Sequence, residues 1–300
     1  MKVLVSGSSG LVGSDLMPAL RMAGHQLGRL VRVGAGTPAA EDVIWEPGAE
    51  RIDETRLEGF DAVVHLAGEN IAAGRWTEPV KERIRKSRVD GTQLLSRALA
   101  KLKRPPKTVV QASAIGFYGN RGDQPLTESS PRGQGFLPAV CVAWEAAAEP
   151  AEKRGIRVVF LRFGVILSRK GGALKKMLPP FRLGVGGVIG DGSQFMSWIA
   201  LDDAVGAIQH ALSMEGLRGP VNVVSPQPVT NRGFTKGLGR VLGRPTVFPM
   251  PAFAARLAFG EMADALLLSS QRVLPDRLRG SGYDFRHPDL EPALRHVLAG

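Results

Sequence analysis

Three glycines give the first chemistry the chain suggests: Gly7, Gly10 and Gly13 in the run Gly7-Ser8-Ser9-Gly10-Leu11-Val12-Gly13. A short β-branched stretch, Lys2–Ser6, precedes them. Leu11, Leu16, Ala19, Leu20 and Ala23 follow at helical spacing. A strand that ends in glycines and opens a helix presents backbone N–H groups that can hold a pyrophosphate. The spacing is a GxxGxxG variant of the dinucleotide fingerprint. About twenty positions on, a site for NAD places an acid against the ribose hydroxyls, whereas a site for NADP places arginine there. Here the stretch Gln26–Arg32 ends in Arg29-Leu30-Val31-Arg32, with no acid until Glu41. Arg32 can fork onto a phosphate, so the pattern favours NADP(H).

Such a turn needs a parallel sheet wound by helices to position it. Apolar runs predict strands over Lys2–Ser6, Gln26–Arg32, 43–45, 62–66, 107–113 and 156–162. Helical spacing covers 11–23, Glu78–Lys101 and 135–154. The run 62–66 is almost wholly apolar, as expected when both faces of a strand are covered. The link after Arg32, which holds Gly34, Gly36 and Pro38, is too short for a full crossover helix. From Gly171 the rhythm breaks. Residues 184–192 read as a loop, 202–214, Asn231–Leu242 and 252–268 as helices, 221–224 as a strand, and the tail after Pro275 as irregular. The expected architecture is α/β, a Rossmann-like doubly wound parallel sheet over 1–170 to which 202–224 returns. A smaller C-terminal lobe, 171–201 with 225–300, would cap its cleft.

The 300 residues are 44% hydrophobic and 22% charged, which excludes a disordered, collagen-like or coiled-coil chain. A single cysteine, Cys141, excludes an intramolecular disulfide and a cysteine-built metal site, and fits a cytoplasmic protein. No apolar run is long enough to span a membrane, and no secretory signal is expected. The net charge is +11; 28 of the 39 basic residues are arginine, and residues 151–300 carry 20 basic against 11 acidic groups. A nucleic-acid face, an anionic small-molecule site and plain arginine richness all fit that excess. There is no lysine-rich tail, and the four tryptophans do not alternate with basic residues, so nucleic acid is the weakest reading. His25, His210, His287 and His296 show no paired spacing, and His65 reads as a strand-end residue near the cofactor; no metal site is expected.

With the glycine turn, His65-Leu66-Ala67-Gly68 resembles the extended short-chain dehydrogenase/reductases. The segments HLAGENIAAGRWTE (65–78), SAIGFYG (113–119), LTESSP (126–131), FLPAVCVAWEAAA (136–148), GGALKKMLPPF (171–181), GSQFMSWIALDD (192–203) and NVVSPQPVTNRGF (222–234) are similar to one atypical branch of that superfamily. This "epimerase family protein" branch ends in an uncharacterised region, and the resemblance spans essentially the whole chain. It implies a cofactor site from Gly7, Ser8, Ser9, Gly10, Leu11, Val12, Gly13, Arg32, Leu66, Ala67, Gly68, Arg88, Val165 and Ile166. Relatives often pair as dimers, so the resemblance also allows a homodimer of this chain.

The superfamily's catalytic pair is Tyr-x-x-x-Lys, in which lysine lowers the tyrosine pKa so that the phenol shuttles a proton. Here Cys141 and Glu145 stand at those positions, and neither Tyr118 nor Tyr283 has a lysine four residues on. Ser113, at the superfamily's hydroxyl position, becomes the first catalytic candidate, with Tyr118 in a loop facing the cleft and Glu145 as an acid or base. Cys141, among apolar neighbours, reads as packing. Lys175, Gln194 and Trp198 are candidates for the substrate side, and Arg75 and Trp76 for stacking or anion binding. Ala200 replaces the histidine usual in the branch's Trp-Ile-His, which removes that group from any scheme. Two functions compete. One is an NADP(H)-dependent oxidoreductase or epimerase acting on an anionic small molecule; the other is a non-catalytic NADP(H)-binding redox sensor.

Overall fold

Eight short strands build one sheet: β1 (Lys2–Ser6), β2 (Gln26–Arg32), β3 (Val43–Glu46), β4 (Arg51–Ile52), β5 (Ala62–His65), β6 (Thr108–Ala114), β7 (Arg157–Phe163) and β8 (Gly219–Val223). The computed structural model describes residues 1–34, 39, 41–72 and 74–299. Gly36 and Pro38, in the link after β2, lie outside the described residues. The strand order is β8-β7-β6-β5-β1-β2-β3-β4. Every neighbouring pair is parallel except β3 with β4. The order reverses beside β1, and a doubly wound sheet binds its ligand beyond the carboxyl ends of the strands at that switch point.

Period-two alternation explains why both faces are covered. Val3, Val5, Ala62, Val64, Val110, Val159 and Leu161 point to one face, where helices α1 (Leu11–Met22) and α6 (Leu201–Ser213) pack. Leu4, Val63, Val109, Val158 and Phe160 point to the other, against α2 (Glu78–Lys101) and Ala148 and Ala151. The 135–154 region is two helices rather than one, α3 (Phe136–Ala146) and α4 (Glu149–Lys153). Pro150 stands in the first turn of α4, where its missing N–H and fixed φ start a helix but cannot continue one.

A second apolar core gathers Leu174, Leu178, Phe181, Trp198, Phe234, Leu238, Ala293 and Leu294. It is built by α5 (Gly172–Arg182), α7 (Asn231–Leu242) and α10 (Leu290–Ala299). The expected helix over 252–268 is shorter: α8 (Ala252–Phe259) stops at Gly260, whose φ of 61° suits glycine, and one π-type turn follows at Ala263–Leu267. The tail also departs from expectation, since it holds α9 (Asp276–Gly280) and α10. Pro288, Gly280 and Gly282 punctuate that stretch and mask the stripe Leu290, Ala293, Leu294 and Val297. Three two-stranded ribbons tie this core to the sheet. They pair Val165–Leu167 with Trp198–Ala200, Phe195–Met196 with Val229–Thr230, and Pro125–Leu126 with Arg272–Val273. Among the described residues, no helix is long and apolar enough to cross a membrane.

The stripe on α10 yields a test. Leu294→Ala should lower the unfolding free energy by about 2–5 kcal/mol, whereas exposed Arg295→Ala should change it by less than about 0.5 kcal/mol. Urea denaturation measures both, and equal effects would contradict the docking of α10 through this face.

Candidate functional site

The glycine turn is crowded at every position where a side chain would project. Gly7 has φ +66°, and a Cβ there would meet the Leu66 carbonyl carbon at 2.9 Å. On Gly13 it would meet the Gly7 oxygen at 2.2 Å, and on Gly10 the same atom at 3.2 Å. The Gly10 N–H donates to the Gly7 oxygen at 3.0 Å, closing the turn. Gly10 is the extended N-cap of α1, and no side chain caps that helix. Its first N–H groups are therefore offered to a ligand rather than to the chain. Ser8 and Ser9 form the turn's outer rim, while Leu11 and Val12 lean into the core.

A hydroxyl beneath the turn holds the neighbouring loop. Ser6 Oγ accepts the N–H groups of Leu66 and Ala67 at 3.0 and 3.2 Å and lies 2.7 Å from His65 Nδ1. Having accepted twice, Ser6 donates its proton to Nδ1, which leaves His65 as the Nε2–H tautomer. That N–H donates to Thr92 Oγ1 at 3.1 Å, and the same oxygen accepts the Trp144 indole N–H at 3.0 Å. Burial lowers the His65 pKa to about 4, so the ring is neutral. His65 thus acts from underneath, positioning Leu66-Ala67-Gly68. Arg88 acts likewise: its guanidinium donates to the Ile84 and Glu69 carbonyls at 3.1 and 3.0 Å and lies 5.0 Å from the Trp144 ring. Arg32, by contrast, ends β2 exposed, its side chain with no hydrogen bond or ion pair among the described residues. Its neighbour Arg29 is taken by Asp42.

At the carboxyl ends of β6, β7 and β8 the structure assembles a connected polar cluster. Arg162 meets Glu145 with two hydrogen bonds of 2.8 Å, from Nε and from a terminal nitrogen, with the two side chains only 4% and 12% exposed. Ser113 donates to Glu145 Oε1 at 2.7 Å. The other terminal nitrogen of Arg162 donates to the Tyr118 hydroxyl at 3.0 Å, which donates to Asn222 Oδ1 at 2.7 Å. The Asn222 amide donates in turn to the Leu274 carbonyl, and its backbone N–H to Glu128 Oε1. The Arg162 guanidinium also lies 3.5 Å above the Phe117 ring.

Four expectations change here. Tyr118 does not face a cleft: the turn Ile115–Tyr118 folds it under the sheet edge, fully buried, and burial raises its hydroxyl pKa. Trp198 does not line a surface: it is fully buried in the second core, with its indole N–H on the Gln227 carbonyl. Gln194 is buried as well, and its amide ties the Ile189 and Leu267 carbonyls. Arg75 stacks on no ring among the described residues; it donates to the Leu257 and Ala258 carbonyls at the end of α8, while Trp76 packs edge-on against Phe136. Lys175 is exposed with no partner among the described residues. Val165 and Ile166 are half-buried in the ribbon that leaves β7. Cys141 is packed; burial pushes its thiol up to about 12, and its sulfur lies 3.7 Å from the Ala114 carbonyl.

The sequence reading missed Arg162 as the centre of the cluster, and missed Asn222 and Glu128 altogether. An available signal was the charge itself, because an arginine within a strand buried on both faces requires an answering group. The histidines do not all stay scattered. His287 and His296 converge on Asp202, which bears on the expectation of no metal site.

The family described as "NAD dependent epimerase/dehydratase family" matches residues 3–224, and a domain of unknown function, DUF1731, matches 250–297. Epimerase family protein Mb2239 of Mycobacterium bovis is 44% identical over 295 residues, 98% of this chain and 97% of that one. The crystal structure of human epimerase family protein SDR39U1 with NADPH superposes with a TM-score of 0.91 at 35% identity, covering 100% of this chain and 99% of that one. The nucleoside-diphosphate sugar epimerase of Corynebacterium glutamicum superposes with a TM-score of 0.81 at 38% identity, over 99% of this chain and 58% of that one.

Neutral His65 makes stability depend on pH. The unfolded chain takes up a proton at this ring near pH 6.5, and the folded chain only near 4. The unfolded state therefore gains on acidification, and native stability falls between those values by about 3 kcal/mol at most. His65→Gln lacks this component, so the two unfolding free energies should converge as pH drops from 7 to 4. Parallel curves would contradict a neutral buried ring.

Proposed function

The chain belongs to the NAD dependent epimerase/dehydratase family, and from that premise we propose an NADP(H)-dependent oxidoreductase or epimerase acting on a small anionic molecule. It works without the tyrosine–lysine pair. The observation that carries the cofactor is the side-chain-free cradle at Gly7, Gly10 and Gly13 at the start of α1, with Arg32, whose side chain has no partner among the described residues, at the end of the adjacent strand. The cradle fits a pyrophosphate, and Arg32 fits a ribose 2′-phosphate. The human relative crystallised with NADPH supports the same reading. Bound, the nicotinamide would supply or accept hydride.

The chain's own part is the proton. Ser113 is buried, 3% exposed, at the carboxyl end of β6; its Oγ directs its hydrogen at Glu145, which would leave its lone pairs to accept from a substrate hydroxyl brought against it. During oxidation the substrate O–H proton passes to Ser113 Oγ, and the Ser113 proton passes to Glu145 Oε1; reduction runs the reverse. Arg162 holds the carboxylate in a bidentate grip that fixes its direction. Lys175, from the lobe formed by 171–201 and 225–300, offers charge to an anionic substrate.

A specific observation favours the sensor reading as second. Cys141 and Glu145 occupy the pair's positions, and the Tyr118 hydroxyl is engaged inside the protein. Titration and turnover on a panel of carbonyl compounds and nucleotide sugars separate the two. Arg32→Ala should weaken NADPH by about tenfold or more and leave NADH nearly unchanged. With a turned-over substrate in hand, Ser113→Ala should lower kcat by about a hundredfold or more at unchanged NADPH affinity. Tight NADPH binding with no turnover across the panel would support the sensor. Equal losses of NADPH and NADH in the Arg32 variant would overturn the assignment of that arginine.

A further inference from the structure

We propose that Asp202, His287 and His296 form a binding site for one zinc-class divalent cation that ties α10 to α6, independent of the dinucleotide site. The three side chains come from three separate elements: the first turn of α6, the loop before α10, and α10 itself. One ligand atom from each lies within 4.8 Å of the others. His296 Nε2 is hydrogen-bonded to Asp202 Oδ2, and His287 Nε2 is 3.8 Å from that same oxygen. The imidazoles stack with centroids 4.1 Å apart and planes 22° from parallel. Two ring nitrogens and a carboxylate oxygen thus converge on one point from one side.

The donor set selects the ion. Zinc binds imidazole nitrogen and carboxylate oxygen at about 2.0–2.2 Å, which puts tetrahedral ligands about 3.4 Å apart. Small rotations of the partly exposed side chains would widen the His296–Asp202 contact and draw His287 in from 3.8 Å to reach that value. Two imidazoles with one carboxylate leave a fourth position to water, and they disfavour magnesium and calcium, which take oxygen ligands.

The backbone around the site is already held. Asp203 is fully buried and accepts the N–H groups of Arg286 and His287 at 2.8 and 2.9 Å. The Tyr283 hydroxyl donates to Asp203 Oδ1 and to its carbonyl. Ser225 Oγ donates to the Pro288 carbonyl at 2.6 Å, fixing the same loop. The main chain at His287 is therefore held by a buried carboxylate adjacent in sequence to the ligand Asp202. His296 rides on α10, whose Ala293 and Leu294 are buried in the second core. A bound ion would join that core to α6, which packs under the sheet on the face opposite α3 and its Glu145.

The test titrates Zn²⁺ into the untagged, chelator-stripped full chain by calorimetry and follows thermal melting, with Co²⁺ absorption as a geometry reporter. We expect one ion per chain, a melting midpoint that rises with Zn²⁺, and tetrahedral Co²⁺ bands. His287→Ala and the exposed His296→Gln should each weaken Zn²⁺ by at least about tenfold and abolish the rise, with NADPH affinity unchanged. His25→Ala, which removes the ring beside the amino terminus, should leave Zn²⁺ binding intact. No saturable Zn²⁺ binding, or the same affinity in both the His287 and His296 variants as in the parent, would overturn the site.

Discussion

A buried guanidinium must be answered, and the answer to Arg162 organises the centre of this molecule. The side chain lies at the carboxyl end of β7, 4% exposed, where an uncompensated charge would cost several kcal/mol. Glu145 meets it in a bidentate pair, Tyr118 takes its remaining terminal nitrogen, and Phe117 covers its face. Each partner is thereby fixed. The carboxylate of α3 turns toward β6, where Ser113 donates to it, and the phenol turns inward to Asn222 of β8. A buried pair of this type adds little net stability over an apolar alternative; removing one partner strands the other, so positions 145 and 162 are coupled. Glu145 therefore belongs to a local charge arrangement centred on β7.

The same logic reinterprets the arginine richness. Arg157 donates to the carbonyls of Ala211, Leu212, Met214 and Leu217, closing the end of α6. Arg75, Arg88, Arg121, Arg232 and Arg277 likewise donate to main-chain carbonyls. A guanidinium carries five donors in a fixed plane and so can satisfy several carbonyls that a loop-rich chain leaves open. These six arginines are thus engaged in fastening backbone. Of the basic groups that the sequence places near the cleft, Arg32 and Lys175 keep theirs available among the described residues, a sharper pointer to an anion than the net charge.

What could be read from sequence follows the range of the forces involved. The glycine turn depends on local backbone sterics, so Gly7, Gly10 and Gly13 announce it within seven residues. The strands β1 and β2 and the helices α2 and α7 carry their pattern locally too, and their limits agree with the reading. The cluster around Arg162 joins residues from 113 to 274 in the chain, and no local pattern encodes which of them meet. Tyr118 and Trp198 were misplaced for one reason: an aromatic beside a motif can point toward the ligand or away from it, and only packing decides. Helix α10 was missed because proline and glycine around it outweighed four apolar residues at helical spacing. His287 and His296, nine residues apart, meet through that unrecognised helix.

The most direct measurement of the central claim is a crystal structure of this chain grown with NADPH. The account predicts the pyrophosphate on the N–H groups at the start of α1, the 2′-phosphate within hydrogen-bonding distance of Arg32, and the nicotinamide ring beside Ser113 with the Glu145–Arg162 pair intact. Density for the dinucleotide elsewhere, a 2′-phosphate held away from Arg32, or a nicotinamide remote from Ser113 would contradict it.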